Sequence, residues 1–269
     1  MGGLLELTGT TAIVTGGASG IGAAVVDALQ GRGVAVASLD RTDGGPAEIR
    51  VACDVADEAS LDAAMQEAVG GLGGLHYAFV NAGVAGMGSV LSMPSSEWDR
   101  VVNVNLRGAF LTLQRAARHI KATGEGGAIV ATASSAGILA DVGIVHYSVA
   151  KMGLRQLVRV AARELGPYGI RVNAVAPGVT NTAMTAGTDQ LPGYHEQLVR
   201  NTPLGRIGET GDIVEAVLAL FALRWVTGQT LAADGGVTLA AGTDIPGFDA
   251  ESAAAWFAAS QGQATGEQG

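Results

Sequence analysis

Short apolar runs alternate along the chain with stretches in which apolar residues recur every three or four positions. The runs at 12–15, 34–40, 49–52, 77–80, 128–133, 171–175 and 229–232 predict strands, and the helical spacing predicts helices over 21–30, 59–69, 97–122, 147–165 and 210–220. Strands that are apolar throughout, rather than at every second position, are buried on both faces. Separated by helices, they build a parallel sheet covered on each side. The chain therefore reads as an α/β fold, with one domain over 1–239.

Two stretches break the rhythm. Residues 182–206 show no clean period and carry two prolines, so they read as a mobile excursion over a site. Residues 240–269 read as a partly disordered tail, with a short apolar helix candidate at 253–259. The tail is either a solvated end or a segment laid over a neighbouring subunit through Trp256 and Phe257.

Composition narrows the partners. The apolar share is 48% but the aromatic share only 4%, with 41 glycines, so the core is packed from small aliphatic side chains. A net charge of −9 argues against a nucleic-acid partner, which needs a basic footprint. The one cysteine, Cys53, cannot close an internal disulfide and fits a reducing compartment. No apolar run reaches membrane-spanning length and no secretory leader is evident, so the expectation is a soluble cytoplasmic protein with no membrane partner.

The chain has only two lysines, and Lys151 stands four residues after Tyr147 on the helix at 147–165. Residues at that offset share a helix face. A cation about 5 Å from a phenol favours the phenolate by roughly two pKa units at an effective dielectric near 20. Tyr147 would then exchange protons near neutral pH, and Ser134 stands seventeen residues before Lys151 in the same strand, loop and helix stretch. The bland alternative is an amphipathic helix with one snorkelling lysine.

The first strand ends in Thr15-Gly16-Gly17-Ala18-Ser19-Gly20-Ile21-Gly22 and runs into a helix. Gly16, Gly20 and Gly22 permit a tight turn, backbone approach to a pyrophosphate and close packing of helix on strand, while the helix start points N–H groups at the anion. Asp40, at the end of the second strand, is placed to accept hydrogen bonds from adenosine ribose hydroxyls, which favours NAD. Ser19, where a basic residue would help hold a 2′-phosphate, points the same way; Arg41 leaves NADP open. Taken singly, these residues also fit ordinary turns and strand ends.

With residues 15–22, Asp54, Asn81-Ala82-Gly83, Asn105, Ser134, Tyr147 with Lys151, Pro177-Gly178, Thr227-Gly228-Gln229 and Asp234-Gly235-Gly236, the chain resembles the short-chain dehydrogenase/reductases of the single-domain branch, over about 5–238. The resemblance implies a Rossmann-type, doubly wound sheet of seven parallel strands, a nicotinamide cofactor and a homotetramer. It implies Tyr147 as acid/base, Ser134 as the bond to the substrate oxygen, Lys151 as the group tuning the tyrosine and holding the nicotinamide ribose, and Asn105 as the anchor of a proton-relaying water.

Around the cofactor the resemblance places Gly16, Ser19, Gly20, Ile21, Gly22, Asp40, Arg41, Asp54, Val55, Asn81, Ala82, Gly83, Tyr147, Lys151, Pro177, Gly178, Thr180 and Thr182. Two departures stand out. Ala131 replaces an asparagine that braces the central strands in many members, and the link from 220 to 229 is short.

Residues expected around the substrate are mostly apolar: Val84, Met87, Ile138, Leu139 and Val142, with His146, Met184, Leu191 and Tyr194. They favour a hydrophobic secondary alcohol or ketone. The histidines show no metal-ligand spacing, so no metal is expected. The competing readings are an NADP-linked 3-oxoacyl thioester reductase and a dinucleotide sensor without catalysis.

Overall fold

The computed structural model describes residues 7–186 and 193–239, within the unit Met1–Thr238 and ending just past it. Seven strands form one sheet: β1 (Thr11–Thr15), β2 (Ala35–Asp40), β3 (Ile49–Ala52), β4 (Tyr77–Val80), β5 (Gly127–Thr132), β6 (Ile170–Pro177) and β7 (Thr230–Ala233). They lie in the order β3-β2-β1-β4-β5-β6-β7, and every neighbouring pair is parallel. The chain winds outward from β1 to β3, then returns to place β4 on the other side of β1. That reversal opens a crevice beyond the carboxyl ends of β1 and β4, where open α/β sheets bind their ligands.

Helices cover both faces. On one, α2 (Glu58–Leu72), α4 (Ala109–Thr123) and α5 (Val145–Leu165) bury Leu61, Met65, Ile120, Leu154 and Val158 against Ile13, Ile129 and Val172. On the other, α1 (Gly20–Gln30) and α7 (Thr210–Ala222) bury Val25, Leu29, Val217 and Phe221 against Val14, Val36, Phe79 and Val130. Alternate residues of each strand thus feed different cores, as the continuous apolar runs require. Asp57 caps α2 by accepting from the Ala59 and Ser60 amides, and Glu209 with Asp212 forms a reciprocal box at the start of α7.

The helix expected over 97–122 is divided. It consists of α3 (Ser95–Val102), a π-helical turn at Asn103–Gly108, and α4. Asn105 lies in that turn, and its Nδ2 reaches back to the Val101 carbonyl at 3.0 Å. A side chain inserted into the backbone ladder widens it locally, and apolar periodicity does not register the change. Residues 182–206 are also not wholly irregular, since α6 (Tyr194–Asn201) forms within them. The expectations for the tail, for Leu191 and for the Tyr194 side chain lie outside the described residues.

The short link after α7 is pinned rather than loose. The Arg171 guanidinium donates to the Leu220 and Phe221 carbonyls at the helix end, Asn173 Nδ2 donates to Val226 O, and the Gln229 amide donates to Asn173 Oδ1. Trp225 protrudes, fully exposed, from this link.

Candidate active site

The crevice begins at the turn between β1 and α1. Gly16 has φ +67° and Gly20 φ +54°, conformations that side chains resist. A Cβ on Gly22 would overlap the Gly16 carbonyl oxygen, so the helix start can lie this close to the strand end only without a side chain. Ser19, at the N-cap of α1, makes no side-chain capping bond, and the first turn holds no acid. The helix therefore presents its free N–H groups and positive end to the crevice, with Ile21 in its first turn, which suits the pyrophosphate of a dinucleotide.

Asp40 closes one side of this turn. Its Oδ2 accepts from the Ala18 amide and its Oδ1 from both the Thr42 amide and hydroxyl, each at 3.0 Å. These bonds hold the carboxylate fixed beside the glycine turn with acceptor capacity left over. Arg41 and Ser19 are exposed. At the neighbouring strand end, Asp54 Oδ1 accepts from the Ala56 amide, and Val55 is buried against Gly108.

Asn81 ties the middle of the sheet together. Its Nδ2 donates to the carbonyls of Thr15 and Gly16, its Oδ1 accepts from the Thr132 hydroxyl, and its amide donates to Thr15 Oγ1. The Ala82 amide shares that hydroxyl. This network supplies the bracing that Ala131 cannot. Asn105 pairs with Val84 in both directions, donating to its carbonyl at 2.9 Å and accepting from its amide at 3.3 Å. Gly83 lies between Asn105 and Lys151, close to both.

Ser134 follows β5 in extended conformation, with its Oγ accepting from the Ala136 amide. It lies near enough to Tyr147 to lower the phenol's pKa slightly. Lys151 is buried one turn along α5, its Nζ 5.5 Å from the Tyr147 ring centroid and donating to the Thr132 carbonyl at 2.7 Å. Ser134, Tyr147 and Lys151 thus come together as expected.

Their electrostatics differ from the sequence-based expectation. Burial raises the Tyr147 pKa above its ordinary 10, and the nearby Ser134 hydroxyl offsets only part of the rise. Burial also pushes Lys151 down to about 8. The expected lowering of the phenol by the ammonium is not what this arrangement produces, because both groups sit in the same poorly solvated place and the ammonium is committed to a carbonyl. Lys151 is the group that titrates near physiological pH, while the phenol keeps its proton.

Beyond β6, Pro177 and Gly178 pack against Asp234, and buried Thr180 donates to the Gly178 carbonyl. Thr182 lies over Gly20, its methyl 3.6 Å from where a Cβ would stand, so this segment faces the glycine turn across the crevice. Of the apolar residues expected around the substrate, Met87, Val142, Met184 and Ile138 are exposed. His146 does not join them. It has no exposed surface and lies beneath the segment after β4. Thr15 and Thr132 were not singled out by spacing; the only hint is that Thr15 immediately precedes the glycine turn.

A dinucleotide turn, a fixed carboxylate beside it and a Ser–Tyr–Lys cluster across the switch point describe a dinucleotide-dependent oxidoreductase. Residues 16–238 match a family model described as enoyl-(acyl carrier protein) reductase. L-rhamnose 1-dehydrogenase (NAD(P)(+)) of Azotobacter vinelandii is 35% identical, covering 84% of this chain and 96% of that protein. Cis-4-hydroxycyclohexanecarboxylate dehydrogenase of Sinomonas cyclohexanicum is 38% identical, with the same 84% and 96% coverage. A short-chain type dehydrogenase/reductase from Mycobacterium marinum superposes with TM-score 0.83 at 32% identity, covering 87% of this chain and 98% of that one. The chain belongs to the short-chain dehydrogenase/reductase family. It is an oxidoreductase of that type and uses a nicotinamide cofactor, NAD or NADP.

Proposed function

We propose that the protein is an NAD-dependent alcohol dehydrogenase and ketone reductase acting on an apolar secondary alcohol. The observation that carries this reading is Tyr147 one helical turn from buried Lys151, whose Nζ lies 5.5 Å from the phenol ring, with Ser134 close enough to act on its hydroxyl. A bound nicotinamide supplies or accepts the hydride at the carbinol carbon. Tyr147 gives its proton to the carbonyl oxygen in reduction; in oxidation it takes the hydroxyl proton as it passes its own on to the neutral amine of Lys151, while Ser134 donates a hydrogen bond to the same oxygen. Lys151 holds positive charge behind the phenol and replenishes its proton, and Asn105 keeps the π-helical turn and the segment after β4 in place beside it.

The residues fit the cofactor. Gly16, Gly20 and Gly22 clear space for the pyrophosphate, and the uncapped start of α1 offers donors to it. Asp40 accepts from the ribose of the adenosine half, flanked by Asp54 and Val55. Asn81, Ala82 and Gly83 form the wall between the two halves, and Pro177, Gly178, Thr180 and Thr182 hold the nicotinamide end. The immobilised Asp40 charge disfavours a 2′-phosphate, which supports NAD.

Exposed Met87, Val142 and Met184 support a hydrophobic substrate, and the relative named for a hydroxylated cyclohexane acid supports a ring alcohol. Phe110, Val149, Met152 and Val160, exposed on α4 and α5, support a face covered by a second copy and hence a homo-oligomer, which we take to be a tetramer. Among the described residues no helix is long and apolar enough to cross a membrane, and none form a metal-holding group. Buried Cys53, its thiol pushed up to about 11 by burial and by Asp54, supports a cytoplasmic setting.

The test is hydride transfer, followed by nicotinamide absorbance, on a panel of cyclic and acyclic alcohols, ketones and 3-oxoacyl thioesters with each cofactor. Turnover of ring alcohols with NAD supports the reading; turnover confined to thioesters with NADPH, or to no substrate, contradicts it.

A further inference from the structure

His146 precedes Tyr147 on α5 and is wholly buried, yet neither ring nitrogen has a hydrogen-bond partner. Its Nε2 faces Glu97 Oε1 across 3.5 Å, longer than a good hydrogen bond. Glu97 is gripped through both oxygens by Arg100, at 2.7 and 2.8 Å, and Arg100 Nη2 also donates to the Ala85 carbonyl at 2.7 Å. Directly above this cluster passes Gly86. A Cβ there would overlap Glu97 Oε1 and come within 2.6 Å of His146 Nε2. The backbone of residue 86 therefore rests on the imidazole and the carboxylate.

The remaining residues of this segment are tethered in turn. Val84 is bonded both ways to Asn105, Ala85 to Arg100, and the Gly88 amide to the Gly143 carbonyl, with a parallel bridge from Gly88 to Ile144. The segment thus runs as a strap from the π-helical turn to the loop that leads into Tyr147. Exposed Met87 sits within the strap, and exposed Val142 stands just before its far anchor. Tethers at 84, 85 and 88 hold the strap down, and the nearest atoms to residue 86 belong to Glu97 and His146, with Arg100 beyond them.

We propose that His146 is a positioning residue: wedged with Glu97 beneath Gly86, it sets the height of the 84–88 strap and with it the depth of the substrate wall beside Tyr147. Burying an imidazole without hydrogen bonds costs stability, and a strap height fixed by a rigid ring is what that cost would secure. The proposal rests on the dehydrogenase reading for its substrate part only. Its steric part concerns the strap itself and is read without turnover.

Two measurements on the full chain test it. In the first, hydrogen–deuterium exchange is followed across residues 84–88 and, as a control, around Ala18. His146→Ala should speed exchange of the strap about tenfold while leaving the glycine turn unchanged. His146→Gln, which keeps bulk and polarity, should restore most of the protection. Gly86→Ala should also loosen the strap, because the added methyl meets Glu97 Oε1 and His146 Nε2.

In the second, kcat/KM is compared for ring alcohols that differ by one methylene. His146→Ala should reduce their discrimination about fivefold through KM for the alcohol, with KM for NAD unchanged. Unchanged strap exchange in His146→Ala would overturn the proposal whatever the activity. Faster exchange with unaltered discrimination would overturn its substrate part. A wild-type protein that turned over no alcohol would sink the dehydrogenase reading, and the exchange result would still decide the role of His146.

Discussion

The Thr132 hydroxyl donates to Asn81 Oδ1 over 3.0 Å, and the carbonyl of the same threonine accepts from Lys151 Nζ over 2.7 Å. One residue at the end of β5 therefore links the brace of the sheet to the buried lysine. Thr132→Val keeps the shape but leaves Asn81 Oδ1 without its donor, a cost of about 1–3 kcal/mol. Calorimetry should show Tm lowered by about 2–12 °C, with Thr132→Ser restoring most of it. An unchanged Tm in the valine variant would mean that the strands are braced elsewhere.

Lys151 costs the fold stability in order to be where it is. A fall from its ordinary 10.5 to about 8 corresponds to about 3 kcal/mol. Below pH ~8 both folded and unfolded chains carry the proton and the cost is complete; between ~8 and 10.5 only the unfolded chain carries it and the cost fades; above 10.5 it is gone. Lys151→Met should therefore stabilise the protein at pH 7 by about 2 kcal/mol, after about 1 kcal/mol is deducted for the lost bond to Thr132. Denaturant melts across pH should show the gain shrinking above pH ~8. A variant less stable than wild type at pH 7 would show that the amine is not strained by burial.

Asp40 is held by three bonds from its own chain, two of them from Thr42. Asp40→Ala should release the glycine turn and remove the charge beside the ribose. The ratio of kcat/KM for NAD to that for NADP should fall by about tenfold or more, roughly 1.4 kcal/mol per decade. An unchanged ratio would place the discrimination elsewhere, with exposed Arg41 the first alternative.

Gly22→Ala drives a methyl into the Gly16 carbonyl. The strand end and the helix must separate, so the amides that face the pyrophosphate lose their aim. NADH fluorescence titration should show binding weakened by about 100-fold, the scale of a lost preorganised anion site. Unaltered affinity would contradict the assignment of this turn.

Much of the fold was legible in the chain because each strand is a short, continuous apolar run and most helices repeat cleanly. The strands at 49–52 and 77–80 end where the runs do. The division of 97–122 was not legible, because the Asn105 side chain alters the backbone ladder without changing the apolar spacing. Neither was α6, which lies on the surface and has little apolar face to bury. Spacing brought Ser134, Tyr147 and Lys151 together, since i and i+4 on a helix face are a local matter. It could not give the direction of the tyrosine shift, which depends on burial by distant elements. Thr132 and His146 owe their places to contacts across more than thirty residues of chain, with Asn81 and with Glu97.

The central claim is that the Tyr147 hydroxyl carries the proton. Single-turnover reduction of a ring ketone by NADH, compared between wild type and Tyr147→Phe at equal cofactor saturation, tests it most directly. The account predicts a loss of about 100- to 10,000-fold in the hydride-transfer rate with NADH affinity kept. A phenylalanine variant that transfers hydride within a few-fold of wild type would contradict it.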